Sequence, residues 1–555
     1  MKRKGLIKAC IIGIAFILLT GCANNTQPKA ENQSETSADE VKAVSQAFVD
    51  VSAGTLMGYK EGNVYNFKGI PYATAERFKN PTPITSYDNN FHSALTYGEV
   101  SPQDRTLAST GHVNPYEFFT PSNGTADMVG NENCQYLNVW TNNLKEDKPV
   151  IVFFHGGGLN NGASSELSFY TGESFADTND AVFVSVNTRL NVLGFLDLSA
   201  YDKKYADSGL VGMEDAVVAL RWVQDNIAHF GGNPKNVTIV GQSGGGDKVT
   251  TLACMSDARG LFDKVAVLSG YYSTSSKQEG VNNTKLLVDY LKLKDDEVID
   301  RLKSMDYEDL LKAATAAGCN WETRYGDGTF TAPLFEPGTG KMNEYAAQRT
   351  WMWGTTYSEF NGNMPNLAYG NQKSSHFPDY DDNDALNLLK ERYGDQAQAI
   401  ADEYKKAYPT HRLIESLYLS TPGMISRYAL ISPKDGILKK FTDAGVTVYN
   451  YVSAYSEPIF GGVTMTHSGD IPYWFNSIEE APYFIRGDEV NAHKVEKTMS
   501  QTLYSFMKDG NPSTDELAWK PYTANNHSTM VFDVESNEKK DYDAKLYELI
   551  TNSAK

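Results

Sequence analysis

A short apolar segment, typical of a buried strand, runs directly into a glycine-flanked serine. Residues 237–240 read Val-Thr-Ile-Val, residues 241–245 read Gly-Gln-Ser-Gly-Gly, and a helix-compatible segment follows. A serine on a tight turn between a strand and a helix needs neighbours without side chains, because a Cβ there would clash with either element. Such a turn holds the hydroxyl of Ser243 away from the backbone, and the adjacent helix N-terminus favours developing negative charge. The pattern therefore predicts a nucleophile at Ser243.

The surrounding chain alternates apolar strands with amphipathic helices. Residues 150–154 and 181–186 are continuous apolar runs, as expected of strands that are buried on both faces. Before the strand at 237–240, apolar residues recur once per helical turn, at Ala216, Leu220, Val223, Ile227 and Phe230. The alternation predicts an α/β fold with a mostly parallel central sheet flanked by helices. Residues 271–440 have a more helical and irregular pattern, and we expect them to form cap-like insertions.

A second glycine-rich segment, His-Gly-Gly-Gly at residues 155–158, follows the predicted strand 150–154. Glycines there allow two backbone N–H groups to point at one place, with the N–H of Gly244 as a third donor. Donors fixed where a carbonyl oxygen becomes an oxyanion usually supply the largest single catalytic effect. A phosphate-binding loop would need a lysine and a Ser or Thr at set spacing, and Leu-Asn-Asn at residues 159–161 supplies neither. We interpret His155 as a residue that holds this loop and not as the catalytic base. It precedes the nucleophile in the chain, which is the wrong order for a base in this kind of fold.

The base is expected among the histidines that follow Ser243. In α/β-hydrolases the chain order is serine, acid and histidine, and the last two lie on loops after strands. Residues 446–456 predict a strand, and His467 lies in the glycine-containing loop after it. His467 is therefore favoured over the other histidines in range, which are His376, His411, His493 and His527.

The acid should lie between the nucleophile and His467 and should follow a strand. Residues 348–356 predict a short strand, and Glu359 comes three residues after it. Glu359 would accept the Nδ1–H of His467, which fixes the tautomer of the ring and stabilises the imidazolium. The alternative for Glu359 is a solvated carboxylate on a surface loop, as most glutamates are. By position in the chain, Asp327 and Asp470 are the rival candidates for the acid.

Further segments carry recognisable patterns in one order along the chain. They begin at Phe67 (FKGIPYA), Asn133 (NCQYLNV), His155 (HGGG), Gly241 (GQSGG), Gly354 (GTTYSE), His467 (HSGDIPY) and Gly510 (GNP). From about residue 50 almost to the C-terminus, the chain resembles the type-B carboxylesterases, a family that includes the cholinesterases and bacterial para-nitrobenzyl esterases.

The resemblance implies a single α/β-hydrolase domain with a catalytic triad and an oxyanion hole. The implied triad is Ser243, Glu359 and His467. The implied oxyanion donors are the N–H groups of Gly157, Gly158 and Gly244, with a supporting hydroxyl at Ser269.

The chain departs from that family at the serine turn, which is usually Gly-Glu-Ser-Ala-Gly. Here Gln242 and Gly244 replace the glutamate and the alanine. Gln242 keeps hydrogen bonding but loses a charge beside the nucleophile, which would shift the local balance of protonation without removing a catalytic group. Family members often pair the counterpart of Cys134 with a cysteine near position 101; this chain has Ser101, so we expect that disulfide to be absent.

Residues 1–22 are predicted to be a lipoprotein signal peptide. Basic residues at positions 2, 3, 4 and 8 precede an apolar run at 9–20, and Leu-Thr-Gly-Cys at 19–22 resembles the lipobox of bacterial lipoproteins. As a helix the apolar run spans only about 18 Å, which is short for a roughly 30 Å hydrocarbon core. Residues 23–45 hold few bulky apolar side chains and are interpreted as a flexible tether. We expect a secreted protein whose domain, residues 46–555, is anchored to the bacterial cell membrane through lipid on Cys22.

Charge and composition narrow the classes of function. The formal net charge is −19 and there is no basic stripe, which argues against nucleic acid and polyanionic substrates. No zinc-type cysteine or histidine pattern is present, so neither a metal nor an organic cofactor is expected. We predict a serine hydrolase that acts on small neutral carboxylic esters through an acyl-enzyme. The alternatives are an amidase or peptidase with the same triad, and a non-catalytic surface binding or adhesion scaffold of the same fold.

Overall fold

A mixed β-sheet of 13 strands runs through the computed structural model, which describes residues 44–103, 128–270, 272–326, 328–359, 380–419, 427–458 and 463–553. In chain order its strands are β1 (Val44–Val51), β2 (Gly54–Glu61), β3 (Val64–Pro71), β4 (Phe91–Ser93), β5 (Tyr136–Thr141), β6 (Lys148–Phe154), β7 (Val182–Val186), β8 (Gly232–Gln242), β9 (Lys264–Leu268), β10 (Thr350–Thr356), β11 (Val448–Ser453), β12 (Thr529–Phe532) and β13 (Asn537–Lys539). The predicted signal peptide with Cys22 lies outside the described residues.

The sheet has a parallel centre and antiparallel ends. Its spatial order is β1-β2-β3-β5-β7-β6-β8-β9-β10-β11-β12-β13, with β4 paired to β2. From β7 to β12 all neighbours are parallel. Every residue of β6, β7, β9 and β11 is buried, as expected of central strands in a sheet covered on both faces. The predicted runs at 150–154 and 181–186 lie in β6 and β7, and the predicted fold class is confirmed.

Helices connect these strands and flank the sheet. They are α1 (Glu173–Thr178), α2 (Asn191–Phe195), α3 (Val211–Asn226), α4 (Gly244–Cys254), α5 (Lys277–Leu291), α6 (Val298–Ser304), α7 (Tyr307–Ala316), α8 (Asp382–Tyr393), α9 (Ala397–Ala407), α10 (Arg427–Ile431), α11 (Ile437–Asp443), α12 (Ile471–Trp474), α13 (Pro482–Ile485), α14 (Glu489–Asp509) and α15 (Ala544–Ser553). The predicted stripe is buried along α3 and the 3₁₀ turn after it. Within the described ranges, no helix combines the length and apolar character needed to cross a membrane.

Strand β8 begins earlier than its apolar pattern predicts. The prediction covered residues 237–240, whereas the strand runs from Gly232 to Gln242. Gly232 pairs with Lys148, and the register shifts before Val237 pairs with Val150. The polar residues 233–236 carry no apolar periodicity, so the sequence gives no sign that they extend the strand.

The carboxyl ends of β8, β9, β10 and β11 lie side by side at one edge of the sheet, because these strands are parallel and pair near their last residues. The four side chains of interest all follow these ends: Ser243 after β8, Ser269 after β9, Glu359 after β10 and His467 after β11. This edge of a parallel sheet is where α/β proteins build their sites.

Candidate active site

Ser243 lies on a sharp turn between β8 and α4, in a backbone conformation that side chains rarely adopt. Its φ is 55° and its ψ is −122°, and strain of this kind typically costs about 1–3 kcal/mol. Its N–H donates to the carbonyl oxygen of Leu268 at 3.0 Å, and its carbonyl oxygen accepts from the N–H of Gly246 at 2.8 Å. Strand β9, through Leu268, and helix α4, through Gly246, therefore both hold the strained residue in place.

The glycines around the serine follow from close packing at the turn. A Cβ on Gly245 would lie 1.9 Å from the carbonyl oxygen of Phe154 at the end of β6, and one on Gly241 would lie 2.0 Å from the carbonyl oxygen of Gly245. Both obstructing atoms are backbone, so side-chain movement cannot relieve the clash.

The glycine loop after β6 lies directly against the serine turn. A Cβ on Gly156 would lie 2.3 Å from Oε1 of Gln242, and a Cβ on Gly244 would lie 2.2 Å from the carbonyl oxygen of Gly158. The alanine that is usual at position 244 in the resembling family does not fit this arrangement, which explains the glycine. Gly157 and Gly158 have φ values of 88° and 66°, so the loop also needs their conformational freedom. The structure brings together the three glycines predicted to donate to an oxyanion.

The ring of His155 contacts this loop. Its ring is buried, and Nδ1 lies 2.9 Å from the carbonyl oxygen of Gly156. Burial, and after it the charge of Lys248, lowers the pKa of His155 well below its ordinary value. A neutral, buried ring that contacts its own loop agrees with its interpretation as a structural residue.

His467 and Glu359 are joined by a short hydrogen bond. Nδ1 of His467 lies 2.6 Å from Oε2 of Glu359, whose side chain is fully buried. The second oxygen, Oε1, accepts the N–H of Thr356 at 2.8 Å. Both the N–H and the hydroxyl of Ser358 donate to the carbonyl oxygen of Met465, at 3.1 and 2.9 Å. The segment that carries the acid is thus tied to the segment that carries the histidine.

A carboxylate partner does not by itself identify the base, because each described histidine after Ser243 has one. The other pairs are His411 with Glu415, His493 with Glu496 and His527 with Asp541. His467 differs in its second ring nitrogen, since Nε2 lies 3.2 Å from Nε2 of Gln242, the residue that precedes the serine. His376 lies outside the described residues.

Gln242 has a second contact that the sequence did not predict. Its amide nitrogen donates to Oγ of Ser468 at 2.8 Å. The amide therefore links the serine turn to both His467 and the residue after it. Ser468 carries no sequence signal for this role beyond its adjacency to the predicted base.

Ser269 touches the acid segment. Its hydroxyl oxygen accepts the N–H of Thr356 at 3.2 Å, and the same N–H bonds to Glu359. Its φ of 48° shows a second strained serine at this edge of the sheet. Ser269 and Glu359 therefore share one backbone donor. This contact is how Ser269 would support the acid, the role that the resemblance implied.

The rival acid Asp470 is engaged elsewhere. Its Oδ2 accepts from Nε1 of Trp474 at 3.0 Å and from the hydroxyl of Ser453 at 3.1 Å. Burial, followed by the charge of Glu359, raises the pKa of Asp470 to about 6. Asp327, the other rival, lies outside the described residues. Cys134 is buried and not in a disulfide, as expected from the serine at position 101.

Comparisons with known proteins show similarity to ester hydrolases along most of the chain. Para-nitrobenzyl esterase of Bacillus subtilis (strain 168) is 28% identical over 502 residues, which cover 88% of this chain and 95% of that protein. Phenmedipham hydrolase of Pseudarthrobacter oxydans is 28% identical over 516 residues, which cover 89% and 97%. Among solved structures, an esterase from anaerobic Clostridium hathewayi that can hydrolyze aliphatic aromatic polyesters superposes with a TM-score of 0.80 at 31% identity, covering 92% of this chain and 100% of that chain.

The parallel sheet and the strand–serine–helix turn define the class of the protein as an α/β-hydrolase. The carboxylesterase family profile matches residues 45–549. The chain belongs to the carboxylesterase family and is a serine hydrolase that acts on carboxylic ester bonds. The alternative of a non-catalytic scaffold is therefore not retained.

Proposed function

We propose that Ser243 is the nucleophile, His467 the general base and Glu359 the carboxylate that orients it, in the hydrolysis of small neutral carboxylic esters. The observation that carries the proposal is the 2.6 Å contact between Nδ1 of His467 and Oε2 of Glu359. With Nδ1–H donating to the carboxylate, Nε2 keeps the lone pair that a base needs. That nitrogen faces the serine turn, which supports its pairing with Ser243.

The reaction has two halves. In the first, Oγ of Ser243 attacks the ester carbonyl carbon while its proton passes to Nε2 of His467. The carbonyl oxygen becomes an oxyanion, and we assign its stabilisation to the N–H groups of Gly157, Gly158 and Gly244. Loss of one such donor typically lowers kcat by about 10²–10³. The alcohol then leaves with the proton from His467, and the acyl group stays on the serine.

In the second half, water attacks the acyl-enzyme with His467 as the base again. The proton returns to Oγ of Ser243, and the carboxylic acid leaves. In both halves Glu359 orients the ring and stabilises the imidazolium.

Neutral esters are the substrate class that the charge of the chain supports. A formal net charge of −19 repels anionic substrates before they reach the site. The Clostridium hathewayi enzyme can hydrolyze aliphatic aromatic polyesters, and an ester bond is itself uncharged. A diester of an aromatic dicarboxylic acid with a short aliphatic alcohol is therefore a suitable member of a substrate panel.

Two measurements test this proposal together. A serine-directed phosphonate should add one label per molecule at Ser243 and abolish ester hydrolysis. A panel on one chromogenic alcohol should then compare neutral acyl groups with an anionic one, and each ester with the matched anilide. We expect the neutral esters to give the highest kcat/KM. A label on another residue contradicts the nucleophile, and a faster anilide favours the amidase alternative.

For localisation, we propose that residues 1–21 are removed as a lipoprotein signal, so that Cys22 becomes the N-terminus. Lipid on Cys22 then anchors the protein outside the cytoplasm, and the residues between Cys22 and β1 tether the domain. The support is the charged, apolar and Gly-Cys pattern of the sequence. Two acyl chains suffice for stable anchoring, whereas one gives marginal binding.

A further inference from the structure

A second histidine with carboxylate partners lies buried behind the acid segment. We call it the His411 cluster; its members are His411, Glu415, Ser456 and Asp533. Nδ1 of His411 lies 2.7 Å from Oε2 of Glu415 and 3.2 Å from the hydroxyl of Ser456, and Nε2 lies 3.3 Å from Oδ2 of Asp533. The hydroxyl of Ser456 also donates to Oε2 of Glu415 at 3.1 Å.

The histidine of this cluster is suited to carry a positive charge. Its side chain is 4% exposed, and each ring nitrogen faces a carboxylate oxygen. Burial disfavours the charge, but hydrogen bonds to Asp533 and Glu415 and the charges of both carboxylates outweigh it and raise the pKa of His411 to about 9. An imidazolium cannot act as a base, so the cluster is not a second catalytic triad.

The cluster joins three parts of the fold. His411 and Glu415 belong to the connection after α9, Ser456 follows β11, and Asp533 directly follows β12. The His411 ring also stacks on Tyr357, with 5.3 Å between ring centroids and 6° between ring planes. A cation at this distance from an aromatic face is attracted to the ring quadrupole.

Tyr357 links the His411 cluster to the catalytic acid. It lies two residues before Glu359, its N–H donates to the carbonyl oxygen of Ser453 at 2.9 Å, and its hydroxyl donates to that of Tyr404 at 2.5 Å. The ring of Tyr357 is fully buried, so it moves only if its neighbours move. A shift of Tyr357 would displace Glu359 from His467, and a misplacement of 1 Å in a catalytic constellation can cost about 10²-fold in rate.

We propose that His411 is a positioning residue that holds Tyr357 and thereby sets the carboxylate of Glu359 against His467. This inference rests on the proposed roles of Glu359 and His467. It adds a group that touches neither the substrate nor the reacting atoms, yet acts on the chemical step.

The pH dependence follows from the charge of the ring. The folded-state pKa of His411 is raised, so its stabilising effect is complete below the ordinary histidine value of about 6.5 and is lost as the pH rises through about 9.

The other ionisable groups that face His411 do not account for a transition there. Burial raises the pKa values of Tyr357, Tyr404 and Tyr408 well above their ordinary value. Burial also opposes ionisation of Glu415, but its hydrogen bond with His411 lowers the pKa of that carboxyl. The guanidinium of Arg412 lies beside Glu415. Asp533 completes the facing groups among the described residues.

The first test replaces His411 by glutamine and uses His493 as the matched control. His493 lies between Glu496 and Glu479, with 2.9 Å to each, but on the partly exposed face of α14. We expect His411→Gln to lower kcat per phosphonate-titrated site by about tenfold or more with KM nearly unchanged, and to remove the alkaline fall of kcat near pH 9. His493→Gln should alter neither. Wild-type kcat and an unchanged alkaline limb in folded His411→Gln would overturn the proposal.

A second variant keeps the test decisive if His411→Gln does not fold. Asp533→Asn retains a hydrogen-bonding group but removes one negative charge from the cluster, so the alkaline limb should move to lower pH by roughly one unit. An unmoved limb contradicts the proposal. Its failure is distinct from failure of the proposed triad, which would appear as no label at Ser243 in the wild-type protein or as full activity of Glu359→Gln.

Discussion

Nε2 of Gln242 and Nε2 of His467 face each other at 3.2 Å, so an uncharged amide lies beside the base. The amide N–H₂ can donate to the lone pair of a neutral imidazole, but it is a poor neighbour for an N–H on the same nitrogen. The carboxylate that is usual at this position in the family is an acceptor only, and it favours the imidazolium. The glutamine therefore places no charge beside the base, where the usual carboxylate would place a negative charge.

The first prediction tests that difference with Gln242→Glu. The new carboxylate favours protonation of His467, so the base loses its lone pair at a higher pH. The acidic limb of kcat/KM should shift upward by roughly one pH unit, with kcat at pH 9 little changed. Gln242→Met, which has no charge and no hydrogen-bonding nitrogen, serves as the control and should lack the upward shift. A Gln242→Glu limb at the wild-type position argues against contact between these groups in solution.

The second prediction concerns the strain at Ser243. Ser243→Ala and Ser243→Gly should both lose about 10³-fold or more of ester hydrolysis, because each removes the nucleophile. They should differ in stability, since a φ of 55° with a ψ of −122° is accessible to glycine and strained for alanine. We expect the glycine variant to be more stable by about 1 kcal/mol, measured by urea unfolding. Equal stabilities would show that the turn relaxes once the hydroxyl is removed.

The third prediction concerns Gly244→Ala, which restores the residue usual in the family. The new Cβ would lie 2.2 Å from the carbonyl oxygen of Gly158, so the glycine loop has to move away from the turn. We expect a loss of about 1–3 kcal/mol in stability and a fall in kcat, because the N–H donors no longer converge. Gly130→Ala, where the new Cβ would meet no atom closer than 3.4 Å, controls for the replacement of a glycine without a clash. Wild-type kcat in Gly244→Ala would mean that the loop moves freely.

The fourth prediction concerns the anchor. Mass spectrometry of the mature protein should find lipid on an N-terminal Cys22, and the protein should partition with membranes. Cys22→Ala should abolish lipid attachment and leave the protein unprocessed at that position, with ester hydrolysis by the purified domain unchanged. An unmodified N-terminus at another residue contradicts the lipoprotein assignment.

The sequence predicted those parts of the molecule that repeat a local pattern. Continuous apolar runs marked β6 and β7, and one stripe of apolar residues marked α3, because burial on two faces or on one face leaves different periodicities. The polar start of β8 was missed, since its pairing with β6 depends on a register shift that no local pattern records.

Local sequence patterns likewise predicted only part of the candidate active site. Ser243 was predicted from its flanking glycines, which the turn itself requires. The partners of Gln242 and of His411 come from segments far apart in the chain: Gln242 meets Ser468 across 226 positions and His411 meets Asp533 across 122. Only the tertiary fold brings these groups together, so residue type and spacing gave no indication of them.

The last prediction separates the acid from a passive buried carboxylate. Glu359→Gln keeps the size of the side chain, but its amide can present N–H₂ to Nδ1 of His467 and favour the tautomer with the proton on Nε2. That tautomer cannot accept the serine proton, so kcat should fall by about 10³–10⁴ while phosphonate labelling of Ser243 slows in parallel. Asp470→Asn is the matched control, because Asp470 is equally buried but bonds to Trp474 and Ser453; it should retain most of the activity per folded molecule. Thermal unfolding of both variants checks that activity is compared between folded proteins. If Glu359→Gln stays active while Asp470→Asn is inactive and folded, the acid has been assigned to the wrong residue, because orientation of His467 would then depend on Asp470.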